Sequence, residues 1–412
     1  MSKNSKNIYI IGAGISGLIT ALELEKAGFS PTIIEASASV GGRVKTETIN
    51  GYVLDRGFQV LLESYPKAIK HLDYTDLDLQ ELVPGAVIYS NGKQQTIGDP
   101  LRNLALLLPT LTSNVGSIKD KLSIYKLNLA LKKKTIDAIF NDKNNTTTLE
   151  YLKTKGFSDT IINHFFRPFF AGIFLETELQ TPSKLFEFIY KMFGEGLAVI
   201  PKDGIQAIPN QLKAKLKNTT FLFNSPVNKV EEKRIILNDG TVIESDITVI
   251  ATESAKLLHT NTTIDWKSCD TLYFTVENDT LKKPIIGLLA DASSIINNIF
   301  FTTSIKNNNT NKDAVLSVTI VKSHDLTEKE LIKKVTLELD TICSIKTKQF
   351  IKRYQIKRAL PNLKSVKYAT DGKALKHSET IYLAGDHTLN GSLNAAMTSG
   401  EDVVKQIVSK FN

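Results

Sequence analysis

The stretch IYIIGAGISG, residues 8–17, decides the fold of this chain. An apolar run, Ile8–Ile11, leads directly into a loop with three glycines, and a helical stretch continues to Gly28. A second apolar strand, 31–34, ends at Glu35, about 18 positions after the loop. A glycine loop between a strand and a helix, followed by an acidic residue at the next strand end, is the pattern of a dinucleotide-binding βαβ unit.

The residues of this unit fit the contacts of a bound dinucleotide. Gly12 permits a tight turn, Gly14 lets the backbone approach a pyrophosphate, and the helix start favours its charge. Glu35 can accept hydrogen bonds from both ribose hydroxyls, and its charge argues against a 2′-phosphate. An ordinary strand–turn–helix with incidental glycines is the alternative. The predicted binding residues here are Gly12, Ala13, Gly14, Ile15, Ser16, Gly17, Glu35 and Ala36.

The segment Gly41-Gly42-Arg43 narrows the choice of dinucleotide, because the loop and Glu35 suit NAD and FAD equally. Its flexible backbone and fixed cation suit a second contact with the same pyrophosphate. At this point the sequence resembles the flavoprotein superfamily that contains amine oxidases, phytoene and carotene desaturases and protoporphyrinogen oxidase. The resemblance continues through Tyr52–Gly57 and implies FAD as the cofactor. It adds Gly41, Gly42, Arg43, Gly57 and Phe58 to the predicted binding residues.

A second motif near the C-terminus carries the same resemblance. Ile381–Ala384 reads as a strand, Gly385 and Asp386 follow, and Gly391–Gly400 opens a final helix. In the family, the matching Asp binds the ribityl chain or the pyrophosphate, and the helix start stabilises negative charge on the reduced flavin. The resemblance therefore implies FAD contacts at Val227, Ala251, Thr252, Gly385, Asp386, Ser392, Leu393 and Ala396. No cysteine stands near Gly385 or Arg358, so we expect non-covalent FAD.

The resemblance covers nearly the whole chain and implies an α/β fold. A Rossmann-like FAD-binding domain, discontinuous in sequence, is expected beside a mixed α+β substrate domain. The length of 412 residues also suggests two domains. We assign 1–98, 201–261 and 355–412 to the FAD-binding domain. The substrate domain then has a mainly helical part, 99–200, and a second part, 262–354.

Composition argues against several other classes of protein. Cys269 and Cys343 stand far apart and no two histidines are spaced i, i+4, so we expect neither a disulfide framework nor a metal site. The net charge is +8, but the lysines alternate with acids and form no nucleic-acid motif, so nucleic acid is not an expected partner. Met1–Asn7 lacks the apolar core of a secretion signal, and no apolar run approaches a membrane span. We expect a cytoplasmic protein.

One lysine cluster differs from the others. Lys119–Leu127 runs into Leu129, Leu131 and three consecutive lysines, 132–134, which predicts an amphipathic helix with a basic face. Such a helix can rest on anionic lipid, which would place the protein at the inner face of the membrane. A helix that only covers the substrate domain is the alternative.

Aromatic residues are dense between Phe165 and Phe193. This density exceeds the needs of an average core and favours an apolar pocket that faces the cofactor. Core packing is the alternative interpretation. The predicted substrate contacts are Phe165, Phe166, Phe169, Phe170 and Phe193.

The expected activity is dehydrogenation or desaturation of a hydrophobic substrate, which is carotenoid-, isoprenoid- or tetrapyrrole-like, by hydride transfer to FAD. Amine oxidases of the family usually present two aromatic rings to the flavin, one of them in the segment that matches 391–394. Here that segment is Gly-Ser-Leu-Asn, and the only tryptophan, Trp266, lies elsewhere. Oxidation of an amine or amino acid stays the first alternative, and isomerisation without net redox change the second. Oxygen, a quinone and a nicotinamide all remain possible electron acceptors.

Three residues are candidates for catalysis, each with a competing structural role. His387 follows the Gly-Asp pair and could relay a proton, or it could simply orient the flavin. His164 stands near Arg167 in the aromatic segment. Arg167 suits a substrate carboxylate or phosphate, and equally a structural ion pair.

Overall fold

A computed structural model of the protein describes residues 6–90, 92–261, 263–370 and 372–411. Residues 1–5, which form most of the segment examined for a secretion signal, lie outside the described residues. The same holds for residue 262, where the second part of the predicted substrate domain begins, and for residue 412. Within the described ranges, no helix combines the length and the apolar character needed to cross a lipid bilayer.

Strands and helices alternate in the first part of the chain and separate into groups further on. The strands are β1 Ile8–Ile11, β2 Thr32–Ile34, β3 Thr46–Ile49, β4 Tyr52–Asp55, β5 Leu61–Leu62, β6 Leu79–Glu81, β7 Gly85–Ser90, β8 Lys93–Gly98, β9 Ala198–Pro201, β10 Thr220–Leu222, β11 Val227–Glu231, β12 Arg234–Leu237, β13 Val242–Glu244, β14 Ile247–Ile250, β15 Trp266–Val276, β16 Ile286–Leu289, β17 Asn298–Phe301, β18 Ala314–Ile320, β19 Thr347–Pro361 and β20 Ile381–Leu383. The helices are α1 Ile15–Lys26, α2 Pro66–His71, α3 Leu107–Thr112, α4 Ile118–Lys133, α5 Ile136–Phe140, α6 Thr148–Thr154, α7 Asp159–Ile161, α8 Arg167–Phe174, α9 Ser183–Glu195, α10 Ala207–Lys215, α11 Ala255–Leu258, α12 Glu328–Cys343 and α13 Leu393–Ser409.

A five-stranded parallel sheet carries the glycine loop, in the order β10-β2-β1-β14-β20. Alternate residues of its strands point to opposite faces. On one face Ile10 and Val249 belong to the core that includes α1 and α13. On the other face Ile11 and Ile250 pack against the small sheet β11-β12-β13. A parallel sheet covered on both faces confirms the predicted α/β class.

The carboxyl ends of the central strands lie side by side. Ala251 N donates to Ile11 O at 2.9 Å, and Ala384 N donates to Ile250 O at 2.9 Å. Because the strands are parallel, the turns after β1, β14 and β20 leave the sheet at one edge. Residues from the start, the middle and the end of the chain therefore meet at this edge.

A seven-stranded sheet forms the other half of the fold, in the order β19-β15-β18-β17-β16-β7-β8. Leu331, Val335 and Leu339 of α12 are fully buried in the core that this sheet contributes to. Strands β7 and β8 come from residues assigned to the FAD-binding domain, and β19 crosses the predicted boundary at 354. The domain division stays a prediction, and this sheet argues for boundaries nearer residues 84 and 361.

Helices α3 to α9 occupy the stretch 99–200. The helix predicted around the lysine cluster is α4. It begins at a capping box, in which Ser117 Oγ accepts from Asp120 N at 3.1 Å and the Asp120 carboxylate accepts from Ser117 N at 2.8 Å. Such a cap satisfies N–H groups at the helix start and fixes where the helix begins.

A buried ion network ties α2 to α13. The Glu401 carboxylate, 4% exposed, accepts from Lys67 Nζ at 2.6 Å and Lys70 Nζ at 2.7 Å, and lies 2.6 Å from His71 Nε2. Burial alone would raise the pKa of Glu401, but these three partners outweigh burial and hold the pKa well below its ordinary range. Glu23, His71 and Glu401 have metal-ligand atoms within 4.8 Å of one another, although the two ammonium groups oppose a cation there.

We predict that Glu401→Gln lowers the free energy of unfolding by about 3 kcal/mol, because the lysines would then lose a buried counter-charge. Urea unfolding monitored by circular dichroism measures the difference. The matched control is Glu379→Gln, which removes the pair with Lys376 from an exposed site and should lower the free energy of unfolding much less. Equal losses in the two variants would contradict this view of the network.

Candidate functional site

One large cavity, about 1520 Å³ in volume, opens at the edge of the parallel sheet and extends towards the helices of residues 99–200. Typical small-molecule pockets measure about 300–1,000 Å³, so this one has room for more than one ligand. Most of the predicted cofactor residues line it. They are Gly12, Gly14, Ile15, Ser16, Glu35, Gly41, Gly42, Arg43, Gly57, Phe58, Ala251, Thr252, Gly385, Asp386, Ser392, Leu393 and Ala396.

Four predicted cofactor residues are not among the residues that line the cavity. Ala13 is fully buried, and Ala36 is exposed. Val227 packs with the isoleucines at the ends of β1 and β2. At Gly17 a Cβ would lie 2.0 Å from Gly12 O, so this glycine permits the close approach of α1 to the loop. Sequence matching could not separate such supporting positions from those that face the cavity.

The glycine loop leaves free space where a side chain would otherwise stand. Gly12 has a φ of 102°, a conformation that favours glycine. A Cβ on Gly14 would project into the cavity, with no atom of the described residues within 4 Å. Gly14 is also the N-cap of α1, where no side chain in the described part of the chain forms a cap, and no acidic residue stands in the first turn. Uncapped N–H groups at a helix start beside open space suit a phosphate.

Hydrogen bonds within the protein hold the Glu35 carboxylate in place. One carboxylate oxygen, Oε2, accepts from Ala13 N at 2.7 Å. The other, Oε1, accepts from Ser37 N at 2.8 Å and from Ser37 Oγ at 2.7 Å. These three bonds leave about one acceptor site, on Oε2, because a carboxylate offers about four. The carboxylate can therefore accept a hydroxyl donor at a fixed position.

Arg43 joins three distant parts of the chain at the cavity. Its guanidinium forms an ion pair with Asp386 and donates to Ala359 O at 3.0 Å. The same group lies 5.2 Å from the centroid of the Trp266 ring, in cation–π geometry. Trp266 and the neighbouring Lys267 both line the cavity. Sequence reasoning missed these two residues, because only the pairing of β15 with β19 brings them here.

Of the three catalytic candidates, only His387 lines the cavity. Burial lowers the pKa of His387, so its ring is neutral at neutral pH. The other two candidates are not among the residues that line it. The His164 ring lies 2.9 Å from Thr160 O, within its own helical turn. Arg167 bonds to Asn163 and to the carbonyl of Thr177, so it fixes the chain around α8 and does not face the cavity.

The aromatic segment divides into two faces. Phe165, Phe169 and Phe193 line the cavity. Phe166 and Phe170 do not, because they are fully buried and pack against Phe186. In the helical segment that leads into α8, residues four apart lie on the same face, and each next residue lies about 100° further round the axis. Phe165 and Phe169 therefore point to the cavity, whereas Phe166 and Phe170 point to the core. Core packing therefore accounts for Phe166 and Phe170, and substrate contact stays a prediction for the three residues that line the cavity.

Asp55 fixes the position of a residue that lines the cavity. Its Oδ1 accepts from Thr46 Oγ1 at 2.6 Å and from Ile205 N at 3.0 Å, and Ile205 itself lines the cavity. Burial raises the pKa of Asp55 from its ordinary 3.8 to about 6, although both hydrogen bonds act in the opposite direction. The folded state therefore binds a proton at Asp55 more tightly than the unfolded state does.

We predict a pH-dependent loss of stability that Asp55→Asn removes. A raised pKa in the folded state contributes stability below pH 3.8, and this contribution is lost as the pH rises through about 6. The asparagine keeps the acceptor oxygen but does not titrate. The free energy of unfolding of the native chain, relative to the variant, should therefore fall by about 2–3 kcal/mol from about pH 4 to about pH 7. If the free energies of unfolding of the native chain and of Asp55→Asn, measured in urea, changed in parallel with pH, the raised pKa of Asp55 would be contradicted.

Comparison with known proteins identifies what this chain resembles. The family described as "Flavin containing amine oxidoreductase" matches residues 15–408. Protoporphyrinogen oxidase 2 of Arabidopsis thaliana is 27% identical over 174 residues, which cover 41% of this chain and 32% of that protein. The L-amino-acid oxidase of Trimeresurus stejnegeri is 29% identical over 164 residues, which cover 38% of this chain and 32% of that protein. The matches thus span about a third of the length of these curated relatives.

Solved structures share the fold along almost the whole chain. The CLA-producing fatty acid isomerase from P. acnes superposes with a TM-score of 0.73 at 18% identity, over 98% of this chain and 99% of that one. At this identity the similarity shows the fold alone. It agrees with the architecture described above, a parallel sheet beside a larger mixed sheet.

Proposed function

The chain belongs to the family of flavin-containing amine oxidoreductases, and from this membership we propose that it is an FAD-dependent oxidoreductase that dehydrogenates or desaturates a hydrophobic substrate. The family match confirms the predicted family and the predicted flavin cofactor. The substrate and the residues that hold each ligand are proposals, supported by the cavity and its walls.

The cofactor would occupy the part of the cavity at the sheet edge. We assign the pyrophosphate to the glycine loop and the uncapped start of α1, with Arg43 as its second contact. Glu35 would bind a ribose hydroxyl of the adenosine, and Asp386 the ribityl chain or pyrophosphate. The start of α13, where Leu393 and Ala396 line the cavity, would place a helix dipole at the flavin ring. When bound, FAD supplies an acceptor for a hydride.

The proposal of a hydrophobic substrate rests on the composition of the cavity wall that lies farther from the parallel sheet. The lining residues of α8 and α9 there are almost all apolar: Phe169, Ile173, Phe174, Leu185, Ile189, Tyr190 and Phe193. Apolar contact is worth about 25 cal/mol per Å², so such walls bind a hydrophobic body and exclude water from the reacting atoms. His387, neutral and at the cavity, is the side chain we propose to accept a proton from the substrate.

Anaerobic reduction of the bound flavin tests the function. We predict that an isoprenoid, carotenoid or tetrapyrrole panel bleaches the visible flavin absorbance and that an amine and amino-acid panel does not. Bleaching by the amine panel alone would contradict the proposal and favour the amine branch of the family. Conversion of a substrate without any bleaching would favour isomerisation.

A variant of the wall gives the same experiment a structural control. Phe169→Trp narrows the cavity and should raise KM for the active hydrophobic substrate about tenfold. Phe350→Trp is the matched control, because Phe350 is partly buried against Phe274 and is not among the residues that line the cavity. Similar KM values for the two variants would place the substrate elsewhere.

The assignment of Glu35 predicts the effect of its removal on cofactor retention. Glu35→Ala should weaken FAD binding about tenfold to a hundredfold, because hydrogen bonds to a charged group are worth about 1.5–3 kcal/mol. Fluorescence titration of the deflavinated protein with FAD measures the change. Glu244→Ala, at a side chain that is largely exposed on β13, is the control and should bind FAD as the native chain does. Unchanged affinity in Glu35→Ala would refute the ribose contact.

A further inference from the structure

Large apolar side chains are exposed in one region of the protein far more than elsewhere. Of the twelve such residues found among the described positions, nine lie between residues 101 and 129, with exposed fractions from 41% to 80%. We call these nine the apolar rim. Its members are Leu101, Leu104, Leu107, Leu108, Leu111, Ile118, Leu122, Tyr125 and Leu129. Such a concentration of exposed apolar side chains in one stretch of chain is typical of an interaction site.

Part of the apolar rim lies at the mouth of the cavity. Six of its members are exposed and also line the cavity: Leu101, Leu107, Leu111, Ile118, Leu122 and Tyr125. Residues with both properties lie where the cavity meets solvent. Lys121 holds the two helices of the rim together, since its Nζ donates to Leu111 O at 3.1 Å and to Ser113 O at 2.6 Å. Leu104 and Leu108 extend the rim outward from the mouth.

Helix α4 is apolar on two opposite faces. Leu127 and Leu131 are buried against the protein. Successive residues are about 100° apart around a helix, so Ile118, Leu122 and Leu129 lie about 160–180° from that buried face. A surface helix ordinarily carries polar residues there. The predicted helix is present, but its outer face is a stripe of apolar residues, where the sequence analysis expected a basic face.

Lysines flank this stripe. Lys126 and Lys133 are exposed and lie about 20–60° to one side of Leu122 and Leu129 around the helix axis. Lys119 and Lys132 are exposed on the same helix. Lysines beside an apolar stripe can keep their stems on apolar surface while the ammonium groups reach anionic headgroups. The chain as a whole carries a net charge of +8, which adds to this attraction.

We propose that the apolar rim docks on the surface of an anionic lipid bilayer, with its aliphatic side chains inserted at the level of the acyl chains and the lysines of α4 at the headgroups. The chemistry of the rim favours lipid over a protein partner. Protein interfaces are enriched in aromatic residues and depleted of lysine, whereas the rim has one aromatic residue, Tyr125, and is flanked by lysines. Docked in this way, the cavity opens towards the bilayer, which supplies a hydrophobic substrate directly if the proposed function holds.

Sedimentation of the holoprotein with lipid vesicles tests the proposal. We expect binding to vesicles of equal parts phosphatidylcholine and phosphatidylglycerol. The double variant Leu104→Ser/Leu108→Ser should bind at least about tenfold more weakly, because two leucines leave the apolar phase. The control is Leu337→Ser, which alters a leucine that is 60% exposed on α12, and it should bind as the native chain does. The double variant alters residues outside the cavity lining.

A second pair of variants tests the electrostatic part. Lys126→Gln/Lys133→Gln should weaken binding to the mixed vesicles about tenfold and leave binding to pure phosphatidylcholine vesicles unchanged. Lys333→Gln, at an exposed position of α12, is the matched control.

The proposal is overturned if the native protein does not sediment with either vesicle, or if the double leucine variant binds equally well. A concentration-dependent dimer that the leucine variant abolishes would instead assign the rim to a second copy. Flavin bleaching by substrate in detergent solution is measured without vesicles, so it fails or succeeds independently.

Discussion

The ion pair between Arg43 and Asp386 joins segments that stand 343 positions apart in the sequence. Asp386 is buried, and an arginine paired at such a site cannot be removed without leaving an uncompensated charge. The same guanidinium holds Ala359 at the end of β19 and stacks on Trp266 at the start of β15. This one side chain therefore links the parallel sheet, the seven-stranded sheet and the C-terminal turn. All three meet at the cavity.

The geometry of the parallel sheet makes this meeting possible. Turns that follow parallel strands leave at one edge, so β1, β14 and β20 deliver three loops to the same place. The close contact of α1 with α13 fixes their relative position, since a Cβ at Gly400 would lie 2.8 Å from Ser16 O. The Glu401 network ties α13 to α2 as well. Polar and charged groups therefore fix the end of the cavity at the parallel sheet, and packed apolar side chains form the end at α8 and α9.

The sequence predicted the fold class, the family and the flavin cofactor correctly, because these depend on local pattern. A strand, three glycines and a helix fix the path of the chain near Gly12 whatever surrounds them. Residues that act through tertiary placement were not predictable in this way. Trp266 enters the cavity through strand pairing, and Phe166 and Phe170 turn into the core by a rotation of about 100° from Phe165 and Phe169. Arg167 carries the right chemistry for an anion, but its Nε and Nη1 donate to Asn163 and to the Thr177 carbonyl.

Hydrogen exchange measured by mass spectrometry tests most directly whether both ends of the chain form one cofactor site. The deflavinated protein and the FAD-loaded protein would be compared peptide by peptide. We expect FAD to slow exchange in two separated segments together, residues 12–17 and residues 385–396, and to leave α12 unchanged. Protection confined to the N-terminal segment, with residues 385–396 exchanging at the same rate in both samples, would contradict the account.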